Sequence, residues 1–177
     1  MKRVLDFLIS LFALIILSPL FLIVSVGVLI SDGSPVFFRQ KRVGKNNELF
    51  EIYKFRTMKR GTENVASNDL SDADVKITRF GKILRATSID ELPQLLNILK
   101  GDMSIVGPRP ERQQYIDEFC KETPEFIYRL KVKAGLTGYA QIYGKYNTTP
   151  LDKLKLDLMY IESYSVLLDM KLIFLTL

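Results

Sequence analysis

The chain contains no histidine. That one absence removes the commonest general base, every Ser-His-Asp or Cys-His nucleophile, and the usual zinc and haem ligands. Cysteine is nearly absent too. Cys120 stands alone, so no internal disulfide can form, and without a histidine it reads as a small core residue rather than a nucleophile. Nothing argues for an oxidising compartment. No internal repeat and no low-complexity tract is visible. No small-residue cleavage site of the A-x-A kind follows the N-terminal apolar run, which makes a secretory signal peptide the weakest reading of that run. If the chain is an enzyme, carboxylates and arginines do the work.

What is present fits one domain with a real core: 177 residues, 47% of them hydrophobic, leave little room for a second. The 25 basic against 20 acidic residues give +5, which suits nucleic acid, anionic lipid or phosphorylated small molecules about equally. The N-terminus decides between them. Phe7 to Ile30 carries no charge, and as a straight helix would be ~36 Å long, enough to cross a bilayer. Yet Lys2 and Arg3 precede it, and Arg39, Lys41, Arg42 and Lys45 follow it, so both flanks carry the mark of the cytoplasmic side. Pro19 sits at the midpoint and withholds an N–H from the Ile15 carbonyl, while Ser18 can return a hydroxyl to Leu14 or Ile15. A transmembrane span competes, but the two basic flanks favour a re-entrant helix hairpin over residues 1–31, turned at Ser18-Pro19, followed by one cytoplasmic domain over residues 32–177.

The expected fold class is α+β: mainly α, with a small β-hairpin and interfacial helices. Val36 to Gln40 and Leu49 to Phe55 are rich in aromatic and β-branched residues and bracket the turn-forming Gly44-Lys45-Asn46-Asn47, which predicts the hairpin. Gly61 to Asp74 is polar and reads as a mobile loop able to act as a lid. Ile77, Phe80 and Leu84 recur at helical spacing, as do Leu92, Leu95, Leu96 and Leu99. Tyr115 to Lys121 and Pro124 to Val132 look helical, with Thr123-Pro124 as a start signal. Leu151, Leu154, Leu158 and Ile161 mark the apolar face of a further helix, with Lys153, Lys155 and Asp157 off it; such a helix is core or lies along a membrane surface. The apolar end from Lys171 to Leu177 points to further chain beyond it.

The chemistry centres on Asp90-Glu91. Ser88-x-x-Glu91 matches a capping box and Pro93 suits a first helical turn, although Asp90 could equally be the N-cap. Either register puts both carboxylates at the positive end of a helix, which favours the ionised form. A Ser-x-Asp-Glu helix start is common, so the neighbours matter. Lys76, Arg79, Lys82 and Arg85 lie three apart just before the dyad, and Pro108-Arg109-Pro110 follows it. A charge run is usually a solvated face, but an arginine stiffened between two prolines is a plausible fixed fork for phosphate oxygens. Lys54, Arg56 and Thr57 supply further polar groups at a strand end, and Gln141 and Lys145 follow Gly135-Leu-Thr-Gly138.

Taken in order, Lys-Arg with an apolar Ser-Pro hairpin, Lys-Phe-Arg-Thr-Met, Asp-Glu-Leu-Pro-Gln, Gly-Pro-Arg-Pro and Gly-Leu-Thr-Gly-x-Ala-Gln make a chain that resembles the bacterial polyprenyl-phosphate phosphoglycosyl transferases, the monotopic initiating sugar transferases. The match runs from residue 2 to about residue 165. Each motif alone is weak; the ordered set is specific. The resemblance implies a Mg²⁺-dependent enzyme at the cytoplasmic face of the bacterial inner membrane. It would move a sugar 1-phosphate from a UDP-sugar to undecaprenyl phosphate and release UMP, as the first membrane step of surface glycan or glycoprotein-glycan assembly. It implies Asp90 as the nucleophile, Glu91 as a proton-handling or positioning group, both as metal-ligand candidates, and Arg85 and Arg109 as anion-binding residues. Two positions depart from the family pattern: Lys145 stands where an arginine is usual and Ala134 where a proline is, and lysine offers a point charge in place of a fork. Membrane lipid is an expected partner and nucleic acid is not, since neither interleaved aromatics on a sheet nor a helix-turn-helix pattern is evident. The identity of the sugar and the oligomeric state are not legible. The rival reading is a membrane-tethered basic binding module without catalysis.

Overall fold

The computed structural model describes residues 2–61, 76–144 and 148–176. Its first element is α1 (Lys2–Asp32), a 31-residue helix with Pro19 inside it. It is long and apolar enough to cross a membrane. Where two helices turned at Ser18-Pro19 were expected, the chain forms one. The Ile15 carbonyl that Pro19 cannot serve accepts a hydrogen bond from the Ser18 hydroxyl at 2.8 Å, so the helix passes the proline without an orphaned acceptor.

One stripe of α1 is packed along its length. Ile9, Ala13, Leu14 and Leu17 pack on the main core of Ile52, Leu95, Ile98, Met103, Ile105, Val106, Tyr160 and Leu172. Leu20 and Phe21 pack with buried Val24 and Val28 on a second cluster containing Phe55 and Leu84. The other face stays open, with Phe12, Ile15, Leu22 and Ile30 exposed. Polar groups fasten both ends to the same body. Lys2 Nζ donates to Asp169 Oδ2 at 2.6 Å, to the Tyr160 hydroxyl at 3.1 Å and to the Val106 carbonyl at 3.1 Å. Asp6 accepts from the Ser104 hydroxyl at 2.9 Å and the Ile105 N–H at 3.1 Å. At the far end the Arg56 guanidinium donates to the Asp32 and Gly33 carbonyls.

The expected hairpin is present as β1 (Phe37–Val43) and β2 (Leu49–Phe55), antiparallel, with Phe37 opposite Phe55 and Val43 opposite Leu49. Its connection places Asn46 and Asn47 at φ 55° and 64°, a left-handed conformation that asparagine tolerates better than most residues. After the hairpin come α2 (Arg79–Ala86) and α3 (Gln94–Lys100). Arg3 caps α3 by donating to the Ile98 and Leu99 carbonyls, placing a cation at the negative end of that helix. Buried Asn97 of α3 holds the free edge of β2: its Oδ1 accepts from the Tyr53 N–H at 3.0 Å and its Nδ2 donates to the Glu51 carbonyl at 2.6 Å.

A second, parallel pair was not expected: β3 (Met103–Val106) against β4 (Ala134–Thr137). Ser104 to Gly107 reads as turn-prone, but β3 is buried at every position, so it has no alternation to betray it. The crossover contains α4 (Gln113–Glu122) and a 3₁₀ segment, Pro124–Lys131. Glycine is required where the two strand ends meet. A Cβ on Gly135 would lie 2.1 Å from the Gly107 nitrogen, and one on Gly107 would lie 2.4 Å from the Lys133 carbonyl.

The chain continues through α5 (Tyr139–Tyr143), α6 (Pro150–Ser163) and α7 (Val166–Thr176). The buried face of α6 is Leu154, Asp157 and Tyr160, whereas Leu151 is exposed. This corrects the expected face, which left Asp157 outside. Hydropathy misplaces Asp157 because its carboxylate goes inward to Arg129, whose Nε and Nη2 reach Oδ2 at 2.9 and 2.8 Å. The expected lid at Gly61 to Asp74 lies, apart from Gly61, outside the described residues.

Candidate active site

The dyad sits in a single 3₁₀ turn, Ile89–Glu91, between α2 and α3. The expected capping box does not form. Ser88 adopts φ 54° and makes no side-chain cap bond, and Glu91 turns toward cations rather than toward the helix end. The carboxylates therefore precede α3 instead of opening it, and the helix-dipole argument for their ionisation loses force.

A cavity of about 490 Å³ opens over this turn. Its lining includes Asp90, Glu91, Lys54, Arg56, Thr57, Arg85 and Arg109, which brings seven expected site residues from four chain segments into one place. Lys54 arrives at the end of β2, and Arg56 and Thr57 just beyond it. Arg85 arrives on α2, whose Gly81 lies so close to the Thr57 carbonyl that a Cβ there would approach it to 2.2 Å. The contact sets Arg85 Nε to donate to Thr57 Oγ1 at 2.9 Å. Arg109 follows the β3–β4 crossing point. Pro108 and Pro110 are buried on either side of it and do not line the cavity; they stiffen the backbone that presents the guanidinium.

The two carboxylates differ sharply. Glu91 accepts from Lys54 Nζ at 2.6 Å on Oε1, and from Arg109 at 2.5 Å on Oε1 and 3.2 Å on Oε2. Burial alone would push the Glu91 carboxyl up, but Arg109 and then Lys54 override it and hold it down at about 2. Glu91 is thus a fixed anion that orients two cations. Asp90 is buried at 8% exposure, and its carboxyl is pushed above the ordinary aspartate value, first by burial and then by the charge of Glu91, against the pull of Lys54 and Arg85. Among the described residues no side chain hydrogen-bonds to it, and only its own backbone N–H does. A carboxylate left open and made more basic is suited to attack an electrophile.

Arg42, expected only as a basic flank of the apolar run, and Arg112 also line the cavity. Arg42 lies on β1 and donates to the Pro110 carbonyl at 3.3 Å and to Gln40 Oε1 at 2.7 Å; adjacency to Pro-Arg-Pro could have flagged Arg112. Arg129, 1% exposed, holds the Arg109 carbonyl at 3.0 Å while paired with Asp157, and only the fold reveals that link. Gln141 is not in the cavity. It lies on α5, where its Nε2 donates to the Leu136 carbonyl at 3.0 Å. Lys145 lies outside the described residues.

Among the described residues no cluster of three or more carboxylate or cysteine ligands exists. A hard divalent ion here would take few protein oxygens and complete its shell with substrate phosphates and water, which suits Mg²⁺. Asp90 has the open oxygens for it. Glu91 would first have to release Arg109 and Lys54.

The bacterial sugar transferase family model matches residues 1–177. A UDP-N-acetylgalactosamine-undecaprenyl-phosphate N-acetylgalactosaminephosphotransferase of Aeromonas hydrophila is 41% identical, covering 99% of this chain and 42% of that protein. A UDP-glucose:undecaprenyl-phosphate glucose-1-phosphate transferase of Klebsiella pneumoniae is 40% identical over 99% of this chain and 39% of its own length. The chain therefore spans about two fifths of those two relatives. An uncharacterized sugar transferase of Bacillus subtilis (strain 168), EpsL, is 40% identical, with 99% of this chain and 85% of that protein aligned. With a full-length family match and the acidic dyad set in a basic cavity, the chain belongs to the bacterial sugar transferase family.

Proposed function

We propose that this chain transfers a sugar 1-phosphate from a UDP-sugar to undecaprenyl phosphate, releasing UMP, through a covalent phosphosugar intermediate on Asp90. The observation that carries this reading is the asymmetry of the dyad: one buried carboxylate left open in a ring of cations, beside another already neutralised. Relatives named for this reaction type support it.

In the first step an Asp90 carboxylate oxygen attacks the sugar-bearing phosphorus. The bond from that phosphorus to the bridging oxygen breaks, and UMP leaves with the electron pair. In the second step an undecaprenyl phosphate oxygen attacks the same phosphorus, Asp90 departs as a carboxylate, and the lipid diphosphate-sugar is formed. Two steps remove the need to hold two anionic substrates together at the moment of transfer. Arg85, Arg109 and Lys54 offset the repulsion between Asp90 and the diphosphate, and Glu91 keeps Lys54 and Arg109 in place. Mg²⁺, held by Asp90 and the diphosphate oxygens, would neutralise further charge.

The same reading places α1 in the cytoplasmic leaflet of the inner membrane, entering and leaving on one side. Support comes from the fastening of Lys2, Arg3 and Asp32 to one body and from the open apolar face between them. α7 would lie along the interface, with Leu167 and Phe174 about four-fifths exposed. The test is a screen of UDP-sugars against undecaprenyl phosphate in detergent with Mg²⁺, scored by UMP and lipid product. One sugar giving both supports the proposal; UMP without lipid product, or neither from any UDP-sugar, contradicts it.

A further inference from the structure

A second cleft, of about 250 Å³, shares no residue with the catalytic cavity. It lies where the start of α1 meets the α6–α7 corner, and Lys2, Arg3, Lys45, Lys131, Lys133 and Tyr164 line it. Its charge is one-sided. Asp6 is the carboxylate in the lining, and both of its oxygens are spent on Ser104 and Ile105. Lys2 and Arg3 already hold the fold together. Lys45 and Lys133, by contrast, make no direct ion pair among the described residues.

Burial, and then the like charges of Arg3 and Lys45, push the Lys133 ammonium down against the pull of Asp6 and Asp102. Cations that outnumber the carboxylates around them cost free energy that a bound anion would return. The cleft is also bordered by apolar groups. Val106, Val132 and Tyr160 line its wall, and Val4, Leu8 and Leu167 are exposed on the adjoining starts of α1 and α7. A soluble anion would gain nothing from that border. A lipid with a phosphate head and acyl tails would use both.

We infer that this cleft is a binding site for the phosphate headgroup of an anionic glycerophospholipid, distinct from the sites of both transferase substrates. The inference rests on the reading that α1 lies in lipid. Lys45 and Lys133 contact the headgroup phosphate, and the acyl chains run along the open face of α1. Bound there, the lipid would fix the depth at which the start of α1 sits, and with it the height of the catalytic cavity above the leaflet.

The test is native mass spectrometry of the full chain from detergent micelles supplied with equal phosphatidylglycerol and phosphatidylcholine. The wild type should retain one phosphatidylglycerol in preference. The Lys45→Ala/Lys133→Ala double variant should lose about thirtyfold of that preference, roughly fivefold per cation. A charge-matched Lys121→Ala/Lys155→Ala variant should keep it. A photoactivatable phosphatidylglycerol should cross-link to peptides containing residues 45 and 131–133, which tests the wild type independently of how the variants fold. Equal retention of the two lipids, a preference that survives the double variant, or cross-links only around Lys54, Arg85 and Arg109 would overturn the inference. Retention of no lipid of either kind would overturn it together with the placement of α1.

Discussion

Glu91 and Arg109 are joined as fork to fork: Nη2 meets Oε1 at 2.5 Å and Nη1 meets Oε2 at 3.2 Å. The neighbouring Asp90 has no such partner among the described residues. Adjacent residues in one 3₁₀ turn thus face opposite electrostatic settings, and the division of labour follows from that. A group held ionised down to about pH 2 cannot trade protons near neutrality. Of the two roles the resemblance implies for Glu91, this supports the orienting of its two cations.

The pH profile should therefore report Asp90. UMP release requires the ionised nucleophile, so its rate should rise with pH through an Asp90 titration placed above the ordinary ~3.9 of aspartate and level off beyond it. Glu91 raises the Asp90 carboxyl, so Glu91→Gln should move that limb to lower pH while slowing turnover by about 10²-fold through misplaced cations. An unmoved limb would show that the limb belongs to another group. Asp90→Asn should leave no measurable turnover.

Arg109→Lys keeps the charge and loses the fork. Donor use should fall at least tenfold in kcat/KM for the UDP-sugar, because a mobile ammonium cannot bond both Glu91 oxygens and a phosphate in fixed geometry. Wild-type kinetics in this variant would remove Arg109 from the site.

Arg129→Met should destabilise the fold by about 3–5 kcal/mol, since it strands Asp157 as an unpaired carboxylate in the core. Arg129→Met/Asp157→Leu should recover most of that loss in denaturant unfolding. Even when refolded, the double variant should show weakened donor binding, because the Arg109 carbonyl has lost its 3.0 Å donor.

Topology can be read with a membrane-impermeant thiol label in a Cys120→Ser background. Cysteines placed before Lys2 and at exposed Glu48 should both be silent in intact cells and both react once the membrane is opened. Labelling of the N-terminal site alone from outside would mean that α1 crosses.

Much of this was legible in the sequence because it is carried by short-range signals. The β1–β2 pairing follows from residue type and turn chemistry, and the Ser18 hydroxyl on Ile15 follows from the missing N–H of Pro19. The gathering of Lys54, Arg85 and Arg109 around the dyad followed from ordered motifs, not from spacing. Other features depend on long-range partners. β3 is too short and too buried to show a period, and Asp157 breaks the polarity of its helix because Arg129 lies 28 residues away in sequence. Ser88 looks like a cap because local sequence cannot anticipate that Lys54 and Arg109 will claim Glu91. Residues 2–32 form one helix where a hairpin was expected, because the Ser18 hydroxyl repairs the backbone deficit of Pro19.

The covalent step is the central claim, and the most direct test is to mix the protein with its UDP-sugar and Mg²⁺ in the absence of undecaprenyl phosphate, quench in acid, and map the mass increase by peptide mass spectrometry. The account predicts a phosphosugar adduct on the peptide containing Asp90, formed with one UMP per protein, discharged by added undecaprenyl phosphate, and absent from Asp90→Asn. UMP production with no adduct, or an adduct on any other residue, would contradict it.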